Sequence, residues 1–139
     1  MTAAALGIVT FGALKYASVD ARKIGRTDPK RAAHYRPILF NFSETYTDGS
    51  ALGVAVGSTK QQAIEAAEGA GFVVEPSGWG DNRAGGTELY SRATLLRTML
   101  KQTHLAFYDP RDLSLGIIVN FREDRVGALH VHYINFEAI

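Results

Sequence analysis

The chain has 139 residues, of which 46% are hydrophobic and 21% charged, so it has the length and composition of one folded domain rather than of a disordered chain. It contains no cysteine, which excludes a disulfide framework, a thiolate nucleophile and cysteine-ligated metal centres. Its 15 basic and 14 acidic residues leave a net charge of only +1, so we expect no nucleic-acid partner.

The basic residues are concentrated near the N-terminus. Residues 1–36 hold seven basic and two acidic side chains, whereas residues 37–139 hold eight basic and twelve acidic ones. The sequence therefore predicts two parts: an apolar N-terminal segment with a basic linker over residues 1–36, and a folded domain over residues 37–139.

Residues 2–19 are open to three interpretations. The run is uncharged up to Lys15, and it reaches the roughly 20 residues of a membrane-spanning helix if that lysine extends to the interface. The basic cluster between Arg22 and Arg36 would then contact anionic lipid and keep the domain on the cytoplasmic side. A secretory signal would place the domain in the periplasm, although no basic residue precedes the run. In the third interpretation, residues 2–19 are an apolar element packed in the domain's own core, and the protein is soluble and cytoplasmic.

The first strands of the domain are predicted on either side of a tight turn. Residues 38–42 alternate between apolar and polar side chains, which is typical of a strand with one buried face. Asp48 and Gly49 form the dipeptide that two-residue hairpin turns prefer, so residues 52–56 are predicted to return along the first strand.

Two helices are predicted in the middle of the domain. Ser58 and Gln61 have the spacing of a capping box, so a helix is expected from there to Gly69. Residues 72–75 follow as a short strand that Pro76 ends. The second helix is predicted to begin after an N-cap at Thr87 or Ser91 and to reach about Gln102, with one apolar face: Leu95, Leu96, Met99 and Leu100.

The last third of the chain predicts strands at residues 104–108, 115–121 and 126–136. Pairing Val119 with Leu129 brings the apolar positions of the last two strands onto one face, and leaves a three-residue loop at 123–125. The fold class is therefore predicted as α+β, with two helices packed on one face of a largely antiparallel sheet, preceded by an apolar N-terminal segment.

Histidines are the strongest candidates for chemistry. His130 and His132 lie on the same side of a strand, and a metal would need a third ligand such as His104 or Asp109. Because no ligand stands at a fixed spacing from the pair, we expect no metal and no cofactor. The chain also lacks a nucleophile-elbow or zinc-protease motif, so we expect a non-enzymatic protein. A small metal-dependent enzyme that uses the three histidines remains the alternative.

A glycine-rich loop at residues 76–87 is the best candidate for partner binding, because it holds the only tryptophan, Trp79, together with an arginine. Tryptophan and arginine are the side chains most enriched at binding hot spots. The predicted surface for another protein combines this loop with the polar face of the sheet: Trp79, Asp81, Arg83, Asn120, Arg122, His130 and His132.

The run Val56-Gly57-Ser58-Thr59-Lys60-Gln61-Gln62-Ala63-Ile64 and the strands Ile118–Phe121 and Arg125–Leu129 resemble the outer-membrane assembly small-lipoprotein family and the related β-lactamase-inhibitor-protein-like fold. The resemblance covers residues 54–136. It implies a non-catalytic protein-binding module of the toxin-immunity or envelope-accessory kind. An accessory subunit of a larger membrane complex is the alternative.

Overall fold

The structure, a computed structural model, describes residues 21–35, 41–76 and 91–134. Residues 21–25 are helical, and the helices and strands that follow are α1 (Pro29–Ala33), β1 (Phe42–Tyr46), β2 (Ser50–Ala51), β3 (Val54–Ala55), α2 (Lys60–Gly69), β4 (Val73–Pro76), α3 (Arg92–Leu100), β5 (His104–Asp109), β6 (Asp112–Arg122) and β7 (Arg125–Tyr133). The main sheet has the order β1-β7-β6-β5-β4, and all its neighbours are antiparallel. This confirms the predicted α+β class and the antiparallel sheet.

The centre of the sheet has the register that the sequence predicts. Val119 pairs with Leu129, and the neighbouring pairs Ile117–Val131 and Leu115–Tyr133 follow in step. Over residues 115–119 and 129–133, every second residue therefore faces the core. Antiparallel strands with one buried face cannot slip by one residue without exposing this whole set, which is why alternation in the sequence was sufficient here.

The tip of the β6–β7 hairpin differs from the prediction. Arg122 pairs with Arg125 and not with Val126, so the loop has two residues and not three. Glu123 and Asp124 both have positive φ, 53° and 65°, as a two-residue turn that matches the twist of the strands requires. The register shifts by one residue beside Asn120, so a bulge absorbs the extra residue.

The predicted hairpin after the first strand is also wrong. The chain turns at Gly49, whose φ is 68°, but β2 then pairs with β3 in a separate two-stranded sheet. β1 pairs instead with β7, over five residues from Phe42 to Tyr46. This arrangement places the buried Phe42 and Tyr46 beside the apolar positions of β7. A local hairpin with the two-residue β2 could not provide as many apolar cross-strand contacts.

The helix caps follow the predicted chemistry with small shifts in position. The N-cap of α2 is Thr59, whose Oγ1 accepts the N–H of Gln62 at 3.2 Å, and Gln62 Oε1 accepts the N–H of Thr59 at 3.0 Å. The capping box is thus one residue later than predicted, because the Ser58 hydroxyl donates to the Ala55 carbonyl. Ser91, one of the two predicted residues, caps α3.

The core combines the inner face of the sheet with small helical residues. Its members include Ala21, Ala32 and Ala33 from the basic N-terminal region, Ala63, Ile64 and Ala67 from α2, and Phe107, Ile117, Val119, Leu129 and Val131 from the sheet. In the part of the chain that the structure describes, no helix is long and apolar enough to cross a membrane. Residues 2–19 lie outside that part.

Lys60 is the one buried lysine among the described residues, and its surroundings explain how a charge is tolerated there. Its Nζ donates to the carbonyls of Leu100 at 3.0 Å and Gln102 at 2.7 Å, and lies 3.3 Å from a carboxylate oxygen of Asp124. Carbonyls at a helix C-terminus lack intrahelical partners and attract cations. Lys60 therefore connects the start of α2, the end of α3 and the hairpin tip.

Candidate functional site

The outward face of the five-stranded sheet extends across all five described strands. We define the open face by eleven residues that alternation and pairing place on this side, all exposed or half-buried: Ser43, Thr45, Glu75, His104, Ala106, Tyr108, Ile118, Asn120, Ala128, His130 and His132. Asp112, Ser114 and Arg122 near the ends of β6 and Val73 on β4 lie on the same side and border it. Three of the four histidines of the chain belong to it. The face is mostly uncharged, with small side chains between aromatic and imidazole rings.

Hydrogen bonds to β1 fix the orientation of His130. Its Nδ1 lies 2.9 Å from the Thr45 hydroxyl, and its Nε2 lies 3.2 Å from the Ser43 hydroxyl. Hydroxyl groups both donate and accept, so they satisfy either tautomer of a neutral ring. Because both nitrogens already have partners, the ring is held in place but presents no free lone pair to a metal.

His132 lies against the backbone of β6. Gly116 is its partner in register, and a Cβ added to that glycine would be 2.6 Å from Cε1 and Nε2 of the His132 ring. The ring thus occupies the space that any larger residue would need. Its centroid is 6.1 Å from that of His130. Burial lowers the pKa of His132 below the ordinary histidine value, and the nearby charge of His130 lowers it further.

Two further features give the open face a fixed and partly apolar surface. Tyr108 donates from its hydroxyl to Glu75 Oε1 at 3.1 Å, which fixes both side chains. Ile118, at the centre of the sheet, and Ile134, just after β7, each keep 36% of their surface exposed. The backbone N–H of Ile134 donates to the Ser114 carbonyl and so extends the pairing of β7 with β6. The cross-strand partners of Ile118 are Ala106 and the hydrogen-bonded His130, so the centre of the open face is apolar on one side and ordered on the other.

The structure brings some of the predicted binding residues together. Asn120, His130 and His132 share the open face, and Arg122 is exposed at the end of β6, beside the hairpin tip. Trp79, Asp81 and Arg83 lie outside the described residues. The role of all seven residues in binding stays a prediction.

The predicted surface lacked Ser43, Thr45, Tyr108 and Ile118. Ile118 could have been found, because the sequence register already places an isoleucine on the polar side of the sheet. The two hydroxyls could not, since the first strand was expected at residues 38–42 and not beside β7.

The histidines do not form a metal site in the described part of the chain. His104 is on β5, which β6 separates from β7, and residues 21–35, 41–76 and 91–134 contain no group of three metal-ligating side chains placed to share an ion. Both nitrogens of His130 are already hydrogen-bonded, so that ring lacks the open, convergent geometry of a metal ligand.

A cleft lies at the β4 edge of the sheet. The cleft has a volume of about 320 Å³ and is lined by Phe72, Val74 and Leu95 and by the ion pair of Arg92 with Glu68, in which Nη2 and Oε2 are 2.6 Å apart. No sequence motif indicated it, because its lining comes from three separate elements.

Comparison of the chain with protein-family models, with curated proteins and with solved structures finds no match. The resemblance to the small-lipoprotein family stays a prediction. Fold and site define the class of this protein as an α+β protein with a five-stranded antiparallel sheet and an ordered, mostly uncharged outer face.

Proposed function

We propose that this protein is a non-enzymatic protein-binding module, and that the open face of the sheet is its docking surface. The observation that carries the proposal is the exposed Ile118 at the centre of a face on which His130 and Tyr108 are already held by hydrogen bonds. Binding surfaces whose side chains are fixed before contact lose less conformational entropy on association. An apolar centre with a polar rim is the common anatomy of such surfaces.

The proposed partner is a protein with an apolar, mostly uncharged contact surface. The acids on the outward side of the described strands are Glu75 and Asp112, which already accept hydrogen bonds from the Tyr108 hydroxyl and from the Ser114 backbone N–H, so the face does not offer strong charge attraction. Arg122 at the rim adds one cation. The predicted loop residues Trp79, Asp81 and Arg83 extend this surface in the proposal. A toxin-immunity or envelope-accessory role fits a small α+β module of this kind.

The test is the substitution Ile118→Arg in the full-length protein. We expect proteins that co-purify with the wild type from native membrane and soluble fractions to be reduced about tenfold or more, since a buried apolar hot spot contributes about 2 kcal/mol or more. The fold should be unaffected, because an arginine at a partly exposed strand position has room for its side chain.

Leu113→Arg is the matched control. Leu113 is on the same strand and is 64% exposed, but it is not among the residues that define the open face. The proposal predicts that this variant retains the partners. Equal retention by both variants, or equal loss, would show that binding does not use the open face.

Attachment to a membrane surface is a second candidate role, and the charges of the N-terminal region favour it. Arg22 pairs with Glu44 and Arg26 with Asp48, whereas Lys23, Lys30 and Arg31 are exposed to solvent. Exposed cations next to an uncharged run are the pattern by which proteins bind anionic lipid. This role suits an accessory subunit of a larger membrane complex, with the domain on the cytoplasmic side.

We expect the full-length chain to sediment with membranes and to remain there after a carbonate wash. The charge reversals Lys23→Glu, Lys30→Glu and Arg31→Glu together should weaken binding to vesicles containing anionic lipid, while Arg97→Glu and Lys101→Glu on α3 serve as controls. A full-length protein that is soluble and monomeric without detergent would rule the anchor out.

A further inference from the structure

We propose that the His130–His132 pair makes the open face an acid-sensitive docking surface, on which the His132 ring seats against Gly116 when neutral and leaves it when protonated. The inference rests on the proposed function for its biological meaning. Its physical part concerns the free protein alone and is tested without any partner.

The geometry of His132 makes its ring part of the surface. Gly116 is buried although it lies on the outward side of the sheet, because the His132 ring covers it. Only a glycine leaves this space, as a Cβ would come within 2.6 Å of two ring atoms. A ring that departs would therefore uncover the β6 backbone and change the shape of the face.

Within residues 21–35, 41–76 and 91–134, no group around His132 offers a compensating charge to a proton on its ring. From β7 it faces His130, whose two nitrogens are bound to Thr45 and Ser43. Among the described residues, the remaining titratable or charged groups of the outward side are, strand by strand, Glu75 on β4, His104 and Tyr108 on β5, Asp112 and Arg122 on β6, and Arg125 at the start of β7. Glu75 accepts the hydroxyl of Tyr108, and Asp112 accepts the backbone N–H of Ser114.

The direction of the pH effect follows from these surroundings. Burial and the charge of His130 both lower the pKa of His132, so the folded protein takes up this proton less readily than the unfolded chain. The contribution of the neutral ring to stability is complete above the ordinary histidine value of about 6.5. This contribution is lost as the pH falls below the ordinary histidine pKa and through the lower pKa that His132 has in the folded protein.

Binding is coupled to the same proton. A partner with an apolar contact surface would remove the remaining water from His132 and oppose its charged form further. Binding then releases protons, and affinity falls on acidification. The kind of partner that fits is one without a carboxylate opposite His132, since a carboxylate would stabilise the imidazolium and reverse the effect.

The test is an NMR titration of the full-length protein, with the histidine signals assigned by single His→Gln variants. We expect His132 to titrate below the ordinary histidine value, and the amide signal of Gly116 to shift over the same pH range. In Gly116→Ala the methyl group displaces the ring, so the pKa of His132 should rise towards its ordinary value. In His130→Gln it should rise to a smaller extent.

Two results in the wild type overturn the inference, even if Gly116→Ala fails to fold. One is a His132 pKa at or above the ordinary histidine value, and the other is a Gly116 amide signal that does not shift over the pH range in which His132 titrates. A pKa unchanged in folded Gly116→Ala overturns it too. Partners retained through the open face at pH 7.5 should elute at pH 5, and retention at pH 5 overturns the coupling to binding. If the titration is as expected but no partner depends on the open face for binding, the proposed function is contradicted and the behaviour of His132 is not.

Discussion

Val119→Asp is expected to unfold the protein under conditions in which the wild type is folded. Val119 is fully buried on β6 and pairs with Leu129, in the middle of the inner face of the sheet. A carboxylate there would lose its hydration without gaining a partner. A buried charge without a partner lowers the free energy of unfolding by about 3–5 kcal/mol. A domain of this size has only about 5–15 kcal/mol of stability to lose.

His130→Ala is the comparison for that variant. It removes two hydrogen bonds from the outward side of the same sheet, both at exposed positions, so its cost should be about 1 kcal/mol or less. Urea unfolding of both variants, followed by circular dichroism, measures the difference. If His130→Ala proved the more damaging, the inner and outer faces of the sheet would be assigned the wrong way round.

Gly25→Ala is expected to be the most destabilising of the single-methyl additions. Gly25 lies at the end of the helical residues 21–25, and a Cβ there would be 1.9 Å from Cζ of Phe42, whose own exposure is 0%. The ring cannot move away without displacing other core residues, and overpacking a core costs about 1–3 kcal/mol or more. We expect a loss near the upper end of that range.

Gly69→Ala provides the matched control for Gly25→Ala. Gly69 ends α2, and a Cβ there would meet nothing within 4 Å, so alanine should stabilise the helix by about 0.5–1 kcal/mol. Phe42→Leu, a smaller side chain, should recover part of the loss in the Gly25→Ala background. Thermal unfolding of the wild type, Gly25→Ala, Gly69→Ala and the double variant Gly25→Ala/Phe42→Leu tests this. Equal effects of the two glycine substitutions would contradict the packing of Phe42 on the helix.

Several elements of the fold were accessible from sequence because their causes lie within a few residues. The capping chemistry at the start of α2 was predicted in kind, although the cap is Thr59 and not Ser58. The strands predicted at residues 104–108 and 115–121 are present as β5 and β6, and Asp109 stabilises the turn between them by accepting the backbone N–H of Arg111. Such signals depend on a side chain and a backbone group that are neighbours along the chain.

The candidate site was predictable only in part. His130 and His132 share the outward face because alternation along one strand decides it, and the sequence shows that alternation directly. The two hydroxyls that hold His130 come from β1, which is 85 or more residues away along the chain. Nothing local in the sequence distinguishes a strand that pairs with the next segment from one that pairs with the last strand of the sheet.

The sequence by itself determined the α+β class, the central register of β6 with β7 and the face on which the two histidines lie, because each follows from the periodicity of neighbouring residues. Only the tertiary structure decided the order of the strands, the two-residue turn at Glu123 and Asp124, and the seating of His132 on Gly116. These depend on which distant segments bury the most apolar surface together. That quantity belongs to the whole packed core and cannot be assigned to any one stretch of the chain.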